Sequence, residues 1–357
     1  MGDEQRLEAT RRHVESILTW AGGRGRILIV VHDNPDPDCL ASAMALRHLF
    51  VMKLNREAEI AFSGMIGRSE NLAMAKELEI PLTPLDIVEL SSFQVVCLLD
   101  TQPGTGNNSL PSDCVVDIVI DHHPIREKTK QCRWVDVRDN YGVTATIIYE
   151  YLLSQNVYIG SKLATALFYA IKSETQDLGR EAERADREAY LRLFPLANKK
   201  LLYEITHPKL PAEYFQMLSE GLINSVVFGN VLVSNLRSVS FPEVVAEMAD
   251  FFLRLEGVEV SFVMGMYSDE LVLSMRTIRH DLNAGEVMKL VVDGKGVAGG
   301  HGMISGGKIT AVGGAADSIM AELTLRLLGH LGKDGEEGRR LVEGPPYAID
   351  NPALPTL

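Results

Sequence analysis

Residues 27–42 read ILIVVHDNPDPDCLAS, and this stretch decides the fold. Its first five residues form an apolar, β-branched run too short for a helix. Such a run reads as a strand buried on both faces, which calls for a parallel sheet with helices packed on it. The charge that follows is abrupt: His32, Asp33, Asp36 and Asp38 fall within seven residues. Pro35 and Pro37 fix their own φ and bias the residue before each away from helix. The loop therefore stays extended until a helix starts near Cys39.

Outward from this stretch, strand-like runs at 27–31, 58–62, 94–99 and 116–120 alternate with helical spacing at 39–52 and 69–78. Ser69 is a candidate N-cap, and further helices are expected at 143–154 and 161–173. This predicts an α/β domain over residues 1–200, built on a doubly wound, mainly parallel sheet. Residues 201–225, broken by HPKLP, read as a linker. Strand-like VVFGNVLVSNLRSVS, GVEVSFVMGMY and DELVLSMRT, with helices at 242–255 and 315–331, predict a smaller α/β substrate-binding domain over 226–332. The charged and proline-rich segment 333–357 reads as a tail, either an extended strap or mobile.

Composition agrees with two domains. A chain of 357 residues exceeds one ordinary domain, and 46% hydrophobic residues supply the cores. The net charge of −13 repels long polyanions, which argues against extended duplex binding. Cys39, Cys97, Cys114 and Cys132 show no CxxC spacing and read as free thiols in a reducing cytoplasm. No apolar run approaches the roughly 18 residues of a membrane span, and the amino-terminal segment lacks the apolar block of a signal peptide.

In open α/β sheets, ligands bind beyond the carboxyl ends of the parallel strands. Here those ends carry similar chemistry. ILIVV leads to His32, Asp36 and Asp38, VVCLL leads to Asp100, and VDIVI leads to Asp121, His122 and His123. Taken alone, Asp36 or Asp38 would serve as a helix cap, but three strand ends in agreement call for more than capping. Carboxylates crowded without cations repel one another, and divalent ions relieve that repulsion. Mixed oxygen and imidazole donors suit manganese, iron, cobalt, zinc or magnesium better than calcium, and the absence of cysteine at these strand ends argues against structural zinc. The donors exceed the needs of one ion, and a pair about 3.5–4 Å apart is the arrangement that hydrolyses phosphate esters.

HDNPDPDCLAS, LLDTQPG and DHHP, in that order, resemble three signature segments of the DHH phosphoesterases, and AIKSETQDLGR resembles a fourth. That superfamily includes RecJ-like single-strand exonucleases, oligoribonucleases that also act on 3′-phosphoadenosine 5′-phosphate, cyclic-dinucleotide phosphodiesterases and manganese pyrophosphatases. The resemblance implies two divalent ions, manganese foremost, with magnesium or cobalt as alternatives. One ion would take His32, Asp36, Asp100 and Glu174; the other would take Asp38, Asp100, His122 and Glu174. Asp100 would bridge them and His123 would contact the scissile phosphate or the leaving oxygen. Asp33 and Asp121 match no ligand position, and Asp121 is expected to anchor the histidine loop. Glu174 stands where the family has aspartate, and Asp177, three residues later, is the alternative ligand.

VLSMRT and GVAGGHGMISGG resemble the DHH-associated C-terminal domain, which implies substrate binding by Arg276, Gly299, Gly300 and His301. Glycines there permit close backbone approach to an anion, while arginine and histidine add charge-assisted contacts. Val297 and Ala298 replace part of the family's longer glycine run. GKGVAG at 294–299 fits GxGxxG without the helix that should follow, and GMISGGKI at 302–309 lacks the hydroxyl of a P-loop.

The resemblance implies a metal-dependent phosphoesterase acting on short phosphorylated nucleotides, such as pApA, nano-oligonucleotides, 3′-phosphoadenosine 5′-phosphate or short single-stranded RNA or DNA. Two alternatives remain: an inorganic polyphosphate or pyrophosphate hydrolase, and a non-catalytic nucleotide sensor. A homodimer is a fold-level expectation.

Overall fold

The strand read from ILIVV lies second among the elements of a computed structural model that describes residues 3–180, 182–310 and 313–342, with the side chains of Asp3 and His301 outside that description. The chain divides into two units, Met1–Pro208 and Lys209–Leu357.

The first unit runs α1 (Asp3–Gly22), β1 (Arg26–Val31), α2 (Pro37–Leu54), β2 (Ala58–Phe62), α3 (Ser69–Glu77), β3 (Leu82–Pro84), β4 (Phe93–Leu99), β5 (Ile118–Asp121), β6 (Trp134–Val137), α4 (Thr144–Ser154), α5 (Ser161–Glu174), α6 (Arg184–Leu193) and α7 (Lys199–Thr206). Its sheet has the order β3-β2-β1-β4-β5-β6, and every pairing is parallel. Strand order reverses between β1 and β4, so their carboxyl ends open the crevice in which such sheets hold ligands.

Alternate residues of β1 explain its unbroken apolarity. Ile27, Ile29 and Val31 pack under the helices, while Leu28 and Val30 join a smaller core on the other face. That second face is covered by the short 3₁₀ turns Leu85–Ile87 and Leu90–Ser92 and by loop residues such as Leu110 and Cys132. The strand order is that of a doubly wound sheet, but the β4–β5 and β5–β6 crossovers lack α-helices. Their residues are left free to build the site. Helix α2 is buried along most of its length because it packs against α4 and α5.

Ser69 is the first helical residue of α3, and the N-cap is Arg68, without a side-chain capping bond. β3 and β6 were not anticipated, being short and only partly buried. The expected linker at 201–225 is divided: α7 packs on α3 and α5 in the first unit, and the following helix belongs to the second.

The second unit runs α8 (Ala212–Ile223), β7 (Val226–Phe228), β8 (Val231–Ser238), α9 (Glu243–Phe252), β9 (Val260–Tyr267), β10 (Glu270–Thr277), α10 (Ala284–Val292), β11 (Val297–His301), β12 (Ile304–Thr310), α11 (Ala316–His330) and β13 (Arg339–Arg340). The sheet order is β11-β12-β10-β9-β8-β7-β13, antiparallel except for β8 with β9. Period-two alternation sorts its faces: Leu271, Leu273 and Met275 face α10 and α11, and Val272 faces α8 and α9. The beginning of the expected tail pairs with β7 as β13; residues 343–357 lie outside the described ones.

A buried ion network ties α1 to the far edge of the first sheet. Arg138 donates Nε and Nη2 to the two carboxylate oxygens of Asp136 at 2.8 and 2.7 Å, and Nη1 to Glu150 at 2.7 Å. It also reaches the Tyr141 hydroxyl at 3.1 Å and Thr10 at 3.1 Å, while Arg6 pairs with Glu150 at 2.9 Å. Arg138→Met would leave two buried carboxylates without this cation. The expected loss is about 3–5 kcal/mol in urea unfolding, whereas Arg12→Ala, at the exposed pair with Glu8, should leave the midpoint unchanged.

Candidate metal centre and substrate loop

The loop 32–38 is pinned before it reaches α2. Asn34 adopts a left-handed conformation (φ 57°), accepts from the Met65 amide at 2.9 Å and donates its own amide to Ser63 O at 2.9 Å. Asp33 turns away from the centre to accept from the Ser109 amide at 3.0 Å and hydroxyl at 2.9 Å. Asp36 does two things at once. Its Oδ1 caps α2 by accepting from the Cys39 amide at 3.0 Å, and its Oδ2 lies 3.4 Å from His32 Nε2.

Asp100 stands between two groups of side chains. Its Oδ2 is 3.5 Å from His32 Nε2, on the side of Asp36, and its Oδ1 is 3.6 Å from His122 Nε2. His122 Nε2 lies in turn 4.0 Å from Asp38 Oδ2. Both histidines are oriented the same way, with Nδ1 bonded to a backbone carbonyl: His32 to Asp33 O at 2.9 Å, His122 to Tyr141 O at 3.2 Å. Each Nε2 is thereby turned toward the carboxylates, the orientation a metal ligand requires. Asp100 itself has φ 59°, a left-handed conformation uncommon outside glycine, supported by its amide bond to Ile120 O at 3.0 Å.

The amino end of α4 holds the carboxylates in place. Asp38 accepts from the Thr144 amide at 2.8 Å and the Ala145 amide at 2.7 Å, and the Thr144 hydroxyl donates to Asp100 Oδ1 at 2.7 Å. The N-cap residue Val143 offers no side-chain acceptor, so Asp38 caps this helix from a distance in sequence.

Charge in the cluster is out of balance. Burial and then the Asp36 carboxylate push Asp100 up to about 8. Burial, followed by the nearby Asp100, raises Asp38 well above the usual carboxylate range. Burial and Asp36 also raise Glu174. Burial would raise Asp36 too, but the charge and hydrogen bond of His32 outweigh it and hold Asp36 low. Proteins carrying such sets of buried acids neutralise them with protons or cations. The donor set and its orientation therefore fit divalent ions.

Glu174, the last residue of α5, is close enough for Asp36, His122 and His123 to perturb its carboxyl. Asp177 is directed elsewhere. It is exposed, ion-pairs with Lys172 and accepts from the Tyr190 hydroxyl at 3.0 Å.

Asp121 anchors the histidine loop: Oδ1 accepts from the His122 amide at 2.8 Å and from His123 Nδ1 at 2.9 Å. Its Oδ2 accepts from Gln102 Nε2 at 2.6 Å. Burial opposes a charge on His123, but the Asp121 hydrogen bond and the Asp100 charge hold its pKa at about 9. His123 is 40% exposed beside the carboxylates.

Cys39 brings a thiol close to the centre, which sequence reading missed. It arrives from the first turn of α2, not from a strand end, and its potential donor atom lies within 4.8 Å of those of His32 and Asp36. Thr144 and Gln102 were also missed, since neither residue type signals chemistry by itself.

In the second unit, Gly299 and Gly300 sit on β11 opposite Gly306 and Ser305 of β12. Gly300 has φ 145°, and an added Cβ would fall 2.3 Å from the Ile304 carbonyl oxygen. Gly285, in the first turn of α10, is the neighbour that sequence reading missed: its Cβ would meet the Gly300 carbonyl oxygen at 2.1 Å. The amino end of α10 is thus packed against the glycine pair. Arg276 is buried, with Nε bonded to Asp250 at 2.9 Å and Nη1 to Ser274 Oγ at 2.9 Å and Ser305 O at 3.3 Å. His301 ends β11, its side chain outside the described set. GKGVAG leads into strand β11 and GMISGGKI lies on strand β12, so neither precedes a helix as a nucleotide-binding loop would. No described helix is long and apolar enough to cross a membrane.

Residues 26–171 match the DHH family, N-terminal domain, and residues 228–326 match the DHHA1 domain. An uncharacterised protein of Methanocaldococcus jannaschii is 34% identical over 305 residues, which is 85% of this chain, and the chain spans 62% of that protein's length. An exopolyphosphatase-related protein from Bacteroides fragilis has a similar structure, with TM-score 0.73 and 15% identity over 90% of this chain and 96% of that one. RecJ from Thermus thermophilus, solved in complex with Mn2+, gives TM-score 0.53 and 14% identity over 92% of this chain and 55% of that one. At these identities the two structures speak for the fold. The two domain types follow one another in this order along one chain, which belongs to the DHH phosphoesterase superfamily with a DHHA1 domain as its second unit.

Proposed function

We propose that this chain hydrolyses phosphate ester bonds in short phosphorylated nucleotides, using two divalent ions. The observation that carries the reading is Asp100, placed between His32 with Asp36 on one side and His122 with Asp38 on the other. His32, Asp36, Asp100 and Glu174 would hold one ion, and Asp38, Asp100, His122 and Glu174 the other. When bound, the ions supply Lewis acidity at phosphorus and offset the charge of the attacking and leaving oxygens. Manganese is the expected metal, with magnesium or cobalt as alternatives.

Protein groups do the rest. His123, oriented by Asp121, would donate a hydrogen bond to a phosphoryl oxygen or to the leaving oxygen. Asp100 is kept from rotating by the Thr144 hydroxyl. Gly299, Gly300, Arg276 and His301 would bind a phosphate or nucleoside group of the substrate, with the open backbone at Gly299 as the contact surface. The net charge of −13 favours substrates with few phosphates over long polyanions. A polyphosphate hydrolase is the second reading, favoured by the fold likeness to the exopolyphosphatase-related protein.

Hydrolysis of bis-p-nitrophenyl phosphate, pApA, 3′-phosphoadenosine 5′-phosphate, short RNA and polyphosphate, each with Mn2+, separates these readings. Activity on pApA and not on polyphosphate is expected, and Asp100→Asn should reduce it by more than the roughly 10–100-fold that loss of a ligand's outer partner costs. Retention of full activity in Asp100→Asn would sink the two-ion reading. Glu174→Gln should lose most activity and Glu174→Asp retain it, while Asp177→Asn stays near wild type; the reverse pattern would make Asp177 the ligand.

Two further variants probe the supports. Thr144→Val should weaken Mn2+ binding, measured calorimetrically, by about 10–100-fold without unfolding the protein. Gly285→Ala should displace the β11 glycines, raising KM for pApA while leaving turnover of bis-p-nitrophenyl phosphate unchanged.

A further inference from the structure

The His32–Asp36 side of the centre differs from the His122–Asp38 side in having a thiol at its edge. Cys39 is fully buried at the start of α2. Its amide donates to Asp36 Oδ1 at 3.0 Å, its Sγ–H donates to Asp36 O at 3.4 Å, and its thiol is a hydrogen-bonding neighbour of His32. Donor atoms of His32, Asp36 and Cys39 all lie within 4.8 Å of one another. Ligand bonds of about 2.0–2.3 Å to nitrogen, oxygen and sulfur require only modest contraction from that spacing. Nothing in phosphate hydrolysis calls for a thiol there. Hard ions such as magnesium and manganese prefer oxygen donors, whereas zinc, cobalt and ferrous iron accept thiolate.

We propose that Cys39 is a conditional additional protein ligand at the His32–Asp36 position, giving that position a distinct mode for thiophilic divalent ions. Zn2+, Co2+ or Fe2+ would bind there with Cys39 Sγ coordinated, while Mn2+ and Mg2+ leave the thiol protonated. The balance is simple: the S–H bond breaks, its proton passes to solvent, and a sulfur lone pair forms the bond to the ion. No oxidation change is involved. Loss of the thiol proton accompanies binding of the ion, as is general for coordinated cysteine. The amino end of α2 adds favourable amide dipoles for the resulting thiolate. The consequence is selectivity: thiophilic ions are held more tightly at one position than at the other, and they compete with manganese there.

This inference rests on the reading that His32 and Asp36 hold an ion, and its test separates the two. The full chain, reduced and stripped of metal by chelator, is titrated with Co2+ and followed by absorption. Expected are visible d–d bands together with a near-ultraviolet thiolate-to-cobalt charge-transfer band. In Cys39→Ser and Cys39→Ala the near-ultraviolet band disappears while the visible bands remain; in Cys114→Ser and Cys132→Ser both persist. Calorimetry should show Zn2+ affinity falling at least about tenfold without Cys39, with Mn2+ affinity unchanged. Visible bands in wild type without a near-ultraviolet band would overturn the role of Cys39 alone, as would a band that survives both Cys39 variants. Absence of any cobalt binding would overturn the metal centre and the thiol ligand together. Should both variants fail to fold, the wild-type spectrum and its loss in His32→Ala still decide.

Discussion

The constraint on which the first unit depends is the crowding of Asp38 and Asp100 at the amino end of α4. Two buried carboxylates so close would ordinarily be driven apart or protonated. Here the α4 amides of Thr144 and Ala145 take Asp38, and the Thr144 hydroxyl takes Asp100. Helix amides are favourable partners for negative charge because they are both unpaired and aligned with the helix dipole. They do not neutralise the cluster, since burial and neighbouring carboxylates still raise Asp38, Asp100 and Glu174. The helix fixes the position of the acids and leaves a residual demand for cations.

Holding that geometry requires support far from the carboxylates. The absence of α-helices from the β4–β5 and β5–β6 crossovers leaves room for two polar loops, and these brace each other. Gln102 is fully buried and uses both ends of its amide: Nε2 donates to Asp121, and Oε1 accepts from the Arg126 amide and the Thr129 hydroxyl, both at 2.8 Å. Asp121 passes that order to His123. On the other side, the Tyr141 carbonyl orients His122, the Tyr141 hydroxyl bonds Glu150 at 3.0 Å, and the Gly142 amide is held by Asp186 at 2.8 Å. The Arg138 network therefore supports the histidine as well as the sheet edge. A loop tied at both flanks by buried polar groups gives a ligand few alternative positions.

Much of this was legible because the sheet places chemistry at strand ends, and strand ends are easy to find. ILIVV, VVCLL and VDIVI announce themselves by apolarity, and the charged residues follow directly. What stayed hidden depends on contacts between segments distant in sequence. Asp36 reads as either a cap or a ligand, and its two oxygens face both tasks. Thr144 is an ordinary first-turn residue until Asp100 is seen beside it. Cys39 follows a run of acids and looks like the first core residue of α2, which it also is. β3 and β6 are too short and too polar to carry a period, and α10 was hidden because its apolar stretch, residues 287–292, reads as easily as a strand. Gly285 shows its purpose only when β11 is laid against it.

Glu174 illustrates how backbone geometry separates two carboxylates that spacing would leave on one helix face. A helix continued beyond residue 174 would put Asp177 on nearly the same face. Instead α5 ends there, and Thr175 closes it by donating to Ile171 O at 2.6 Å and accepting from the Leu178 amide at 3.0 Å. Gln176, Asp177 and Leu178 then adopt φ values of 48°, 56° and 67°, three consecutive left-handed residues that reverse the chain. The reversal carries Asp177 outward to Lys172 and Tyr190. The carboxylate left beside Asp36, His122 and His123 is therefore the one on the last helical residue. A longer side chain suits that origin, because reach from a fixed helix end can be gained by one methylene more cheaply than by moving a helix packed against α2 and α4.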